Sequence, residues 1–242
     1  MPIPKIIHYC WFGKKPLSAD CRKALAAWKK QLPDYEIMRW DESSFDVTES
    51  DYVRAAYDAG KYAFVSDYVR LYALKKYGGV YLDTDIEITR DFTPLLSRYN
   101  AVFGFESGEK VMTAFMAAQP DSPIINEFLE YYATQAFDAS NLTPNTVILT
   151  DILERRGLVI NNQTQALAGD VIVFPLDYFQ AYDFSAAALC TTDNTYTIHK
   201  CFGSWCSPKE RLIFAAKRFL GKHLSEENYR RLKQIKKKIA GE

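Results

Sequence analysis

Along this chain, short apolar runs bounded by Gly and Pro alternate with stretches of helical spacing, and that order points to an α/β sheet with helices on its faces. Lys5 to Phe12 is apolar without helical period and is closed by Gly13 and Pro16, as expected of a buried parallel strand. Ser18 can cap a helix whose apolar side includes Leu25, Ala26 and Trp28 and which ends before Pro33; Tyr35 to Trp40 then reads as a second strand. After the acidic stretch from Asp41 to Asp51, helical patterns run through Tyr57 and from Ala63 to Tyr77, the latter stopped by Gly78-Gly79 in the C-cap position. Val80 to Leu82 and Ala101 to Phe105 are further strands. Phe128 to Phe137 and Thr146 to Arg156 have helical spacing, and Val171 to Phe174 and Thr195 to His199 read as strands.

At 242 residues and 48% apolar composition the chain can build one large domain. We assign residues 1–206 to it and 207–242 to a basic amphipathic helical tail. Lys+Arg and Asp+Glu balance at 30 each, so nothing global suggests nucleic-acid binding. The balance is local, however. From Cys206 to Glu242 eleven basic residues face four acidic ones, giving that segment +7 and the body −7. Five cysteines without a C-x-x-C pair fit reduced thiols better than a disulfide framework, and the spacing of His199, Cys201 and Cys206 matches no common zinc module. With no signal-peptide pattern and no run of roughly 18 apolar residues, a cytoplasmic location is expected. For the tail, contact with the anionic inner face of the cell membrane and packing on the domain are equal readings.

Chemistry concentrates in Gly78-Gly79-Val80-Tyr81-Leu82-Asp83-Thr84-Asp85-Ile86-Glu87. In extended backbone Asp83, Asp85 and Glu87 would share one side at the exit of a buried strand, where α/β sheets place ligands. Carboxylates so close repel unless a cation or shared proton relieves them, and oxygen ligands with open positions for phosphate suit Mg²⁺ or Mn²⁺. A solvated turn is the bland alternative. Asp67 and Arg70 share a face of the preceding helix; they are either an ordinary i, i+3 ion pair or a half-buried grip for sugar hydroxyls. His199, Gly203, Ser204 and Trp205 could close over a metal-diphosphate, or be core. Trp11 could be core or a stacking surface for a nucleobase.

Taken together, Ile3 to Gly13, Ala63 to Arg70, Tyr77 to Asp85 and His199 to Trp205 resemble the DXD-containing sugar transferases of glycosyltransferase family 32, which includes bacterial capsule and lipopolysaccharide enzymes and yeast mannosyltransferases. They are also similar to the catalytic core of the clostridial glucosylating toxins. The resemblance implies a GT-A-type nucleotide-diphospho-sugar transferase fold around a central, mostly parallel sheet, and retention of anomeric configuration. Carried over by position, Asp83 lies near the ribose and donor sugar, Asp85 ligates the metal with help from Asp83 and His199, and Asp67 and Arg70 hold the sugar. Trp11 stacks on the base, and Ser204 and Trp205 serve the diphosphate. The implied cofactor is Mn²⁺ or Mg²⁺, the donor a nucleotide sugar with uridine preferred over guanosine, and the acceptor a glycan or lipid-linked saccharide in bacterial surface polysaccharide synthesis. A nucleotidyltransferase or nucleotide-sugar hydrolase would use the same carboxylates on a different bond. A non-catalytic glycan-binding protein is the third reading.

Overall fold

The structure, a computed structural model, describes residues 2–106, 110–183 and 188–201. Strand β1 (Ile6–Cys10) leads into helix α1 (Ala19–Gln31), whose first turn is capped as expected by Ser18, its Oγ accepting from the Cys21 N–H at 3.1 Å. Strand β2 (Glu36–Trp40) pairs in parallel with β1, and helices α2 (Asp51–Asp58) and α3 (Tyr62–Tyr77) follow. α3 returns the chain to strand β3 (Gly79–Leu82), parallel to β1 on its other side. The return is abrupt. Gly78 and Gly79 take φ of 63° and 101°, and a Cβ on Gly79 would meet the Ile6 carbonyl oxygen at 2.5 Å, so only glycine lets β3 start this close to β1.

Strand β4 (Ile86–Ile88) and the short helix α4 (Thr93–Leu96) precede β5 (Ala101–Glu106). β6 (Lys110–Val111) and β7 (Phe115–Ala118) come next, then helices α5 (Pro123–Thr134) and α6 (Asn145–Arg155). The last described elements are β8 (Gln165–Leu167), β9 (Val171–Phe174), α7 (Leu176–Phe179), β10 (Tyr182–Asp183), β11 (Ala188–Leu189) and β12 (Thr197–His199). The main sheet runs β2-β1-β3-β7-β5-β9-β8, with β6 on β5. β2, β1, β3, β5 and β9 point one way, and β7, β8 and β6 oppose them. The α/β architecture with most of its sheet parallel is the expected one. The central antiparallel β7 was not anticipated. Phe115-Met-Ala-Ala118 is fully buried, but Ala and Met prefer helices, so local propensity hides the strand.

Alternation along the strands divides the core. Val80 and Leu82 face the layer containing α1, α4 and α7, whereas Tyr81 faces the layer of α2, α3, α5 and α6. The helical segment expected at Phe128 to Phe137 starts earlier, because Pro123 occupies the first turn, and ends at Thr134. The tail of residues 207–242 lies outside the described residues, as do Ser204 and Trp205.

Candidate active site

The two aspartates of the D-x-D segment meet, but not by extended alternation. The pattern set by Tyr81 continues only to Asp83, whose N–H still bonds the Ala114 carbonyl at 2.9 Å in the β3–β7 ladder. A tight turn then begins, with Ile86 N donating to Asp83 O at 3.0 Å. The turn, and the pairing of β4 with β12, place Asp85 beside His199, whose Nε2 lies 3.2 Å from Asp85 Oδ1. Glu87 therefore leaves the cluster, and its carboxylate pairs with Lys200 at 2.9 Å near solvent.

Asp83, Asp85 and His199 each offer a ligand atom within 4.8 Å of the others, at the edge of the core. Two hard carboxylate oxygens and one imidazole form a donor set able to hold a divalent cation. The site also carries its own demand for a cation. An imidazole nitrogen and a carboxylate oxygen 3.2 Å apart need a proton or a metal ion between them. Burial opposes the imidazolium of His199, but the Cys201 sulfur and the Asp85 carboxylate outweigh it and raise its pKa well above the ordinary value.

Behind this cluster sits a buried polar network. Asp67 and Arg70 are 8% and 5% exposed, and Arg70 Nη2 reaches Asp67 Oδ1 at 2.9 Å, so the helical pair expected from their spacing is formed inside the protein. Arg70 also donates to the Ser66 and Thr113 carbonyls, approaches Asp83 Oδ1 at 3.6 Å, and lies over the Tyr81 ring at 4.4 Å. Its guanidinium is thus turned mainly to protein groups. Its part is to hold two carboxylates in place rather than to offer an open fork to a ligand. Asp67 takes Arg70 and the Asn145 amide, at 2.6 Å, on the same oxygen, Oδ1. Burial pushes its carboxyl up to about 7 against the pull of Arg70. Tyr81 donates to Asp83 Oδ1 at 2.8 Å. The remaining side of Asp83, 32% exposed, is free to face the cluster.

Trp11 extends β1 by one residue, its N–H on the Trp40 carbonyl, so it stands at the exit of the strand next to β3. Its indole Nε1 is spent on the Lys15 carbonyl at 2.7 Å, leaving the ring face as its contact surface. The loop after it is pinned from below. Glu42 Oε1 accepts the Gly13 N–H at 2.7 Å and the Tyr57 hydroxyl at 2.8 Å.

Several contributors were invisible in the sequence. Thr113 donates to Asn145 Oδ1 at 2.8 Å, which turns the amide nitrogen toward Asp67. Gln180, fully buried, faces His199 Nδ1 at 3.1 Å. Glu106, at the end of β5, feels both Asp83 and His199; burial raises its carboxyl above the usual range. Tyr81 alone had a local signal, since alternation puts it on the same face as Asp83.

The fold, an α/β sheet with most of its strands parallel, is similar to that of solved GT-A glycosyltransferases. "PaToxG Glycosyltransferase" superimposes with a TM-score of 0.53 at 22% identity, covering 64% of this chain and 69% of that one. A glycosyltransferase involved in the glycosylation of the major capsid of PBCV-1 gives 0.51 at 12% identity, over 86% and 98%. In sequence, residues 18–102 match the family described as the glycosyltransferase sugar-binding region containing DXD motif. That segment includes Asp67, Arg70, Asp83 and Asp85 but neither Trp11 nor His199. Among curated proteins, the chain is 37% identical over 101 residues to inositol phosphoceramide mannosyltransferase 3 of Schizosaccharomyces pombe, which is 39% of this chain and 27% of that protein. It is 33% identical over 97 residues to glucan organizing enzyme 1 of Cryptococcus neoformans, 36% and 26%. The chain thus spans about a quarter of the length of these relatives.

Proposed function

We propose that the protein is a divalent-metal-dependent glycosyltransferase that moves a hexose-type sugar from a nucleoside diphosphate to a hydroxyl of a glycan or lipid-linked acceptor, with retention of configuration. The observation that carries this reading is the meeting of Asp83, Asp85 and His199 in front of the buried Asp67–Arg70 pair, with both D-x-D aspartates, Asp67 and Arg70 lying in the segment that matches a sugar-binding region. Asp85 and His199, with Asp83 beside them, would hold the cation, which when bound neutralises charge developing on the departing diphosphate. Asp67, fixed through Oδ1, presents its other oxygen to a sugar hydroxyl. Asp83, held by Tyr81 and Arg70, faces both ribose and sugar. Trp11 offers its face to the base from the neighbouring strand exit.

Departure and attack on one face of the sugar is the favoured route, with a covalent intermediate as the alternative. Uridine remains the preferred base, and the fungal relative's name makes a mannose donor the first alternative to test. A panel of nucleotide sugars, incubated with and without Mn²⁺, decides the matter. Metal-stimulated release of nucleoside diphosphate with sugar on an acceptor supports transfer. Pyrophosphate or nucleoside monophosphate as the product would replace it with phosphoryl chemistry.

A further inference from the structure

His199 is held by one residue through both backbone and side chain. Gln180, which caps the end of α7, accepts the His199 backbone N–H on its carbonyl at 3.1 Å, and its side-chain Oε1 lies 3.1 Å from His199 Nδ1. The amide is fully buried, so its orientation is set by the protein rather than by water. That orientation can be worked out. Gln180 Nε2 donates to the Cys201 sulfur at 3.5 Å. Oε1 therefore faces His199, and an acceptor facing Nδ1 requires Nδ1 to carry the proton. In the neutral ring the lone pair is left on Nε2, the nitrogen aimed at Asp85.

We infer that Gln180 is a positioning residue that fixes the ring orientation and Nδ1–H tautomer of His199, so that Nε2 is presented as a ligand to a divalent cation. The inference rests on the metal site of the proposed function. Histidine ligands are commonly held in this way by an acceptor on the far nitrogen, and losing that acceptor weakens metal affinity about 10–100-fold. Gln180 lies in a loop remote in sequence from the D-x-D segment and outside the matched residues 18–102.

The test is Mn²⁺ binding by the full chain, followed by calorimetry or by the electron paramagnetic resonance of free Mn²⁺. Gln180→Leu should bind about 10–100-fold more weakly, and Gln180→Glu, which keeps an acceptor toward Nδ1, should stay within a few fold of wild type. Equal affinity in wild type and Gln180→Leu overturns the inference alone, as does a Gln180→Glu loss matching that of Gln180→Leu. Absence of divalent binding by the wild type overturns the metal site and the inference with it. Should Gln180→Leu fail to fold, the wild type still answers. A long-range ¹H–¹⁵N spectrum of the Mg²⁺-loaded, histidine-labelled chain, assigned with His199→Asn, should show Nδ1 protonated, and an Nε2–H tautomer refutes the assignment.

Discussion

His8 lies within the segment that resembles a sugar transferase, yet its environment marks it as a stabilising residue with a defined pH signature. It is fully buried in β1; its Nε2 donates to the Gly78 carbonyl at 2.8 Å, and its Nδ1 accepts the Trp40 indole N–H at 3.1 Å. One nitrogen donates and the other accepts, so the neutral ring fits and the imidazolium does not. Burial lowers the pKa from 6.5 to about 4, the Gly78 carbonyl pulling weakly the other way. Between those values the unfolded chain binds the extra proton, so this contribution is complete above pH 6.5 and is lost as pH falls toward 4. Integrated from pH 7 to pH 4.5, the loss from this one group is about 2–3 kcal/mol. Denaturant unfolding of wild type and His8→Gln at both pH values isolates it, because the carboxylates that also titrate are common to both proteins. The wild type should lose about 2 kcal/mol more than the variant on acidification. Equal losses would refute the reasoning, as would a His8 proton resonance that titrates near 6.5 in the folded protein, a measurement that needs no variant.

Three further perturbations address the site and the tail. Asp85→Asn should abolish Mn²⁺-stimulated turnover, about a hundredfold or more in kcat, while unfolding stays cooperative, since Asp85 sits in a turn at the core's edge; near-normal activity removes it from the ligand set. Asp67→Asn is a better probe of sugar contact than truncation to Ala, which would strand Arg70 in a buried setting at a cost of about 3–5 kcal/mol. It should depress transfer strongly and leave affinity for the bare nucleoside diphosphate within a few fold; equal loss of both would mean that the residue supports the whole pocket. For the tail, we propose engagement of anionic membrane by its +7 charge, at about 1 kcal/mol for each Lys or Arg near the surface. The chain should co-sediment with anionic vesicles at low salt and be released by added salt, and no binding at low salt rejects the idea.

What the sequence showed and what it hid follow from the range of the forces involved. Ser18 at the start of α1, Gly78-Gly79 at the end of α3 and the apolar runs of β1, β3, β5 and β9 were legible because each is set within a few residues by capping, φ freedom or burial. β7 was not, because its strand geometry is imposed by β3 and β5 on either side against the preference of its own Ala and Met residues. The D-x-D segment shows both cases at once. Strand alternation holds as far as Asp83, which shares a face with Tyr81, and that face is the one on which α3 delivers Arg70. It failed one residue later, because the chain turns to begin β4, and the position of Asp85 is then governed by the register Ile86 to His199 with a strand at the far end of the described chain. No local pattern encodes a pairing of that span. The same holds for Thr113, Asn145 and Gln180, whose amide and hydroxyl groups acquire direction only from partners brought in by the sheet. Residues that can bear charge therefore stood out in the sequence, whereas the neutral polar residues that aim them did not. Substitutions at those neutral positions should alter metal and donor affinity before they alter the fold.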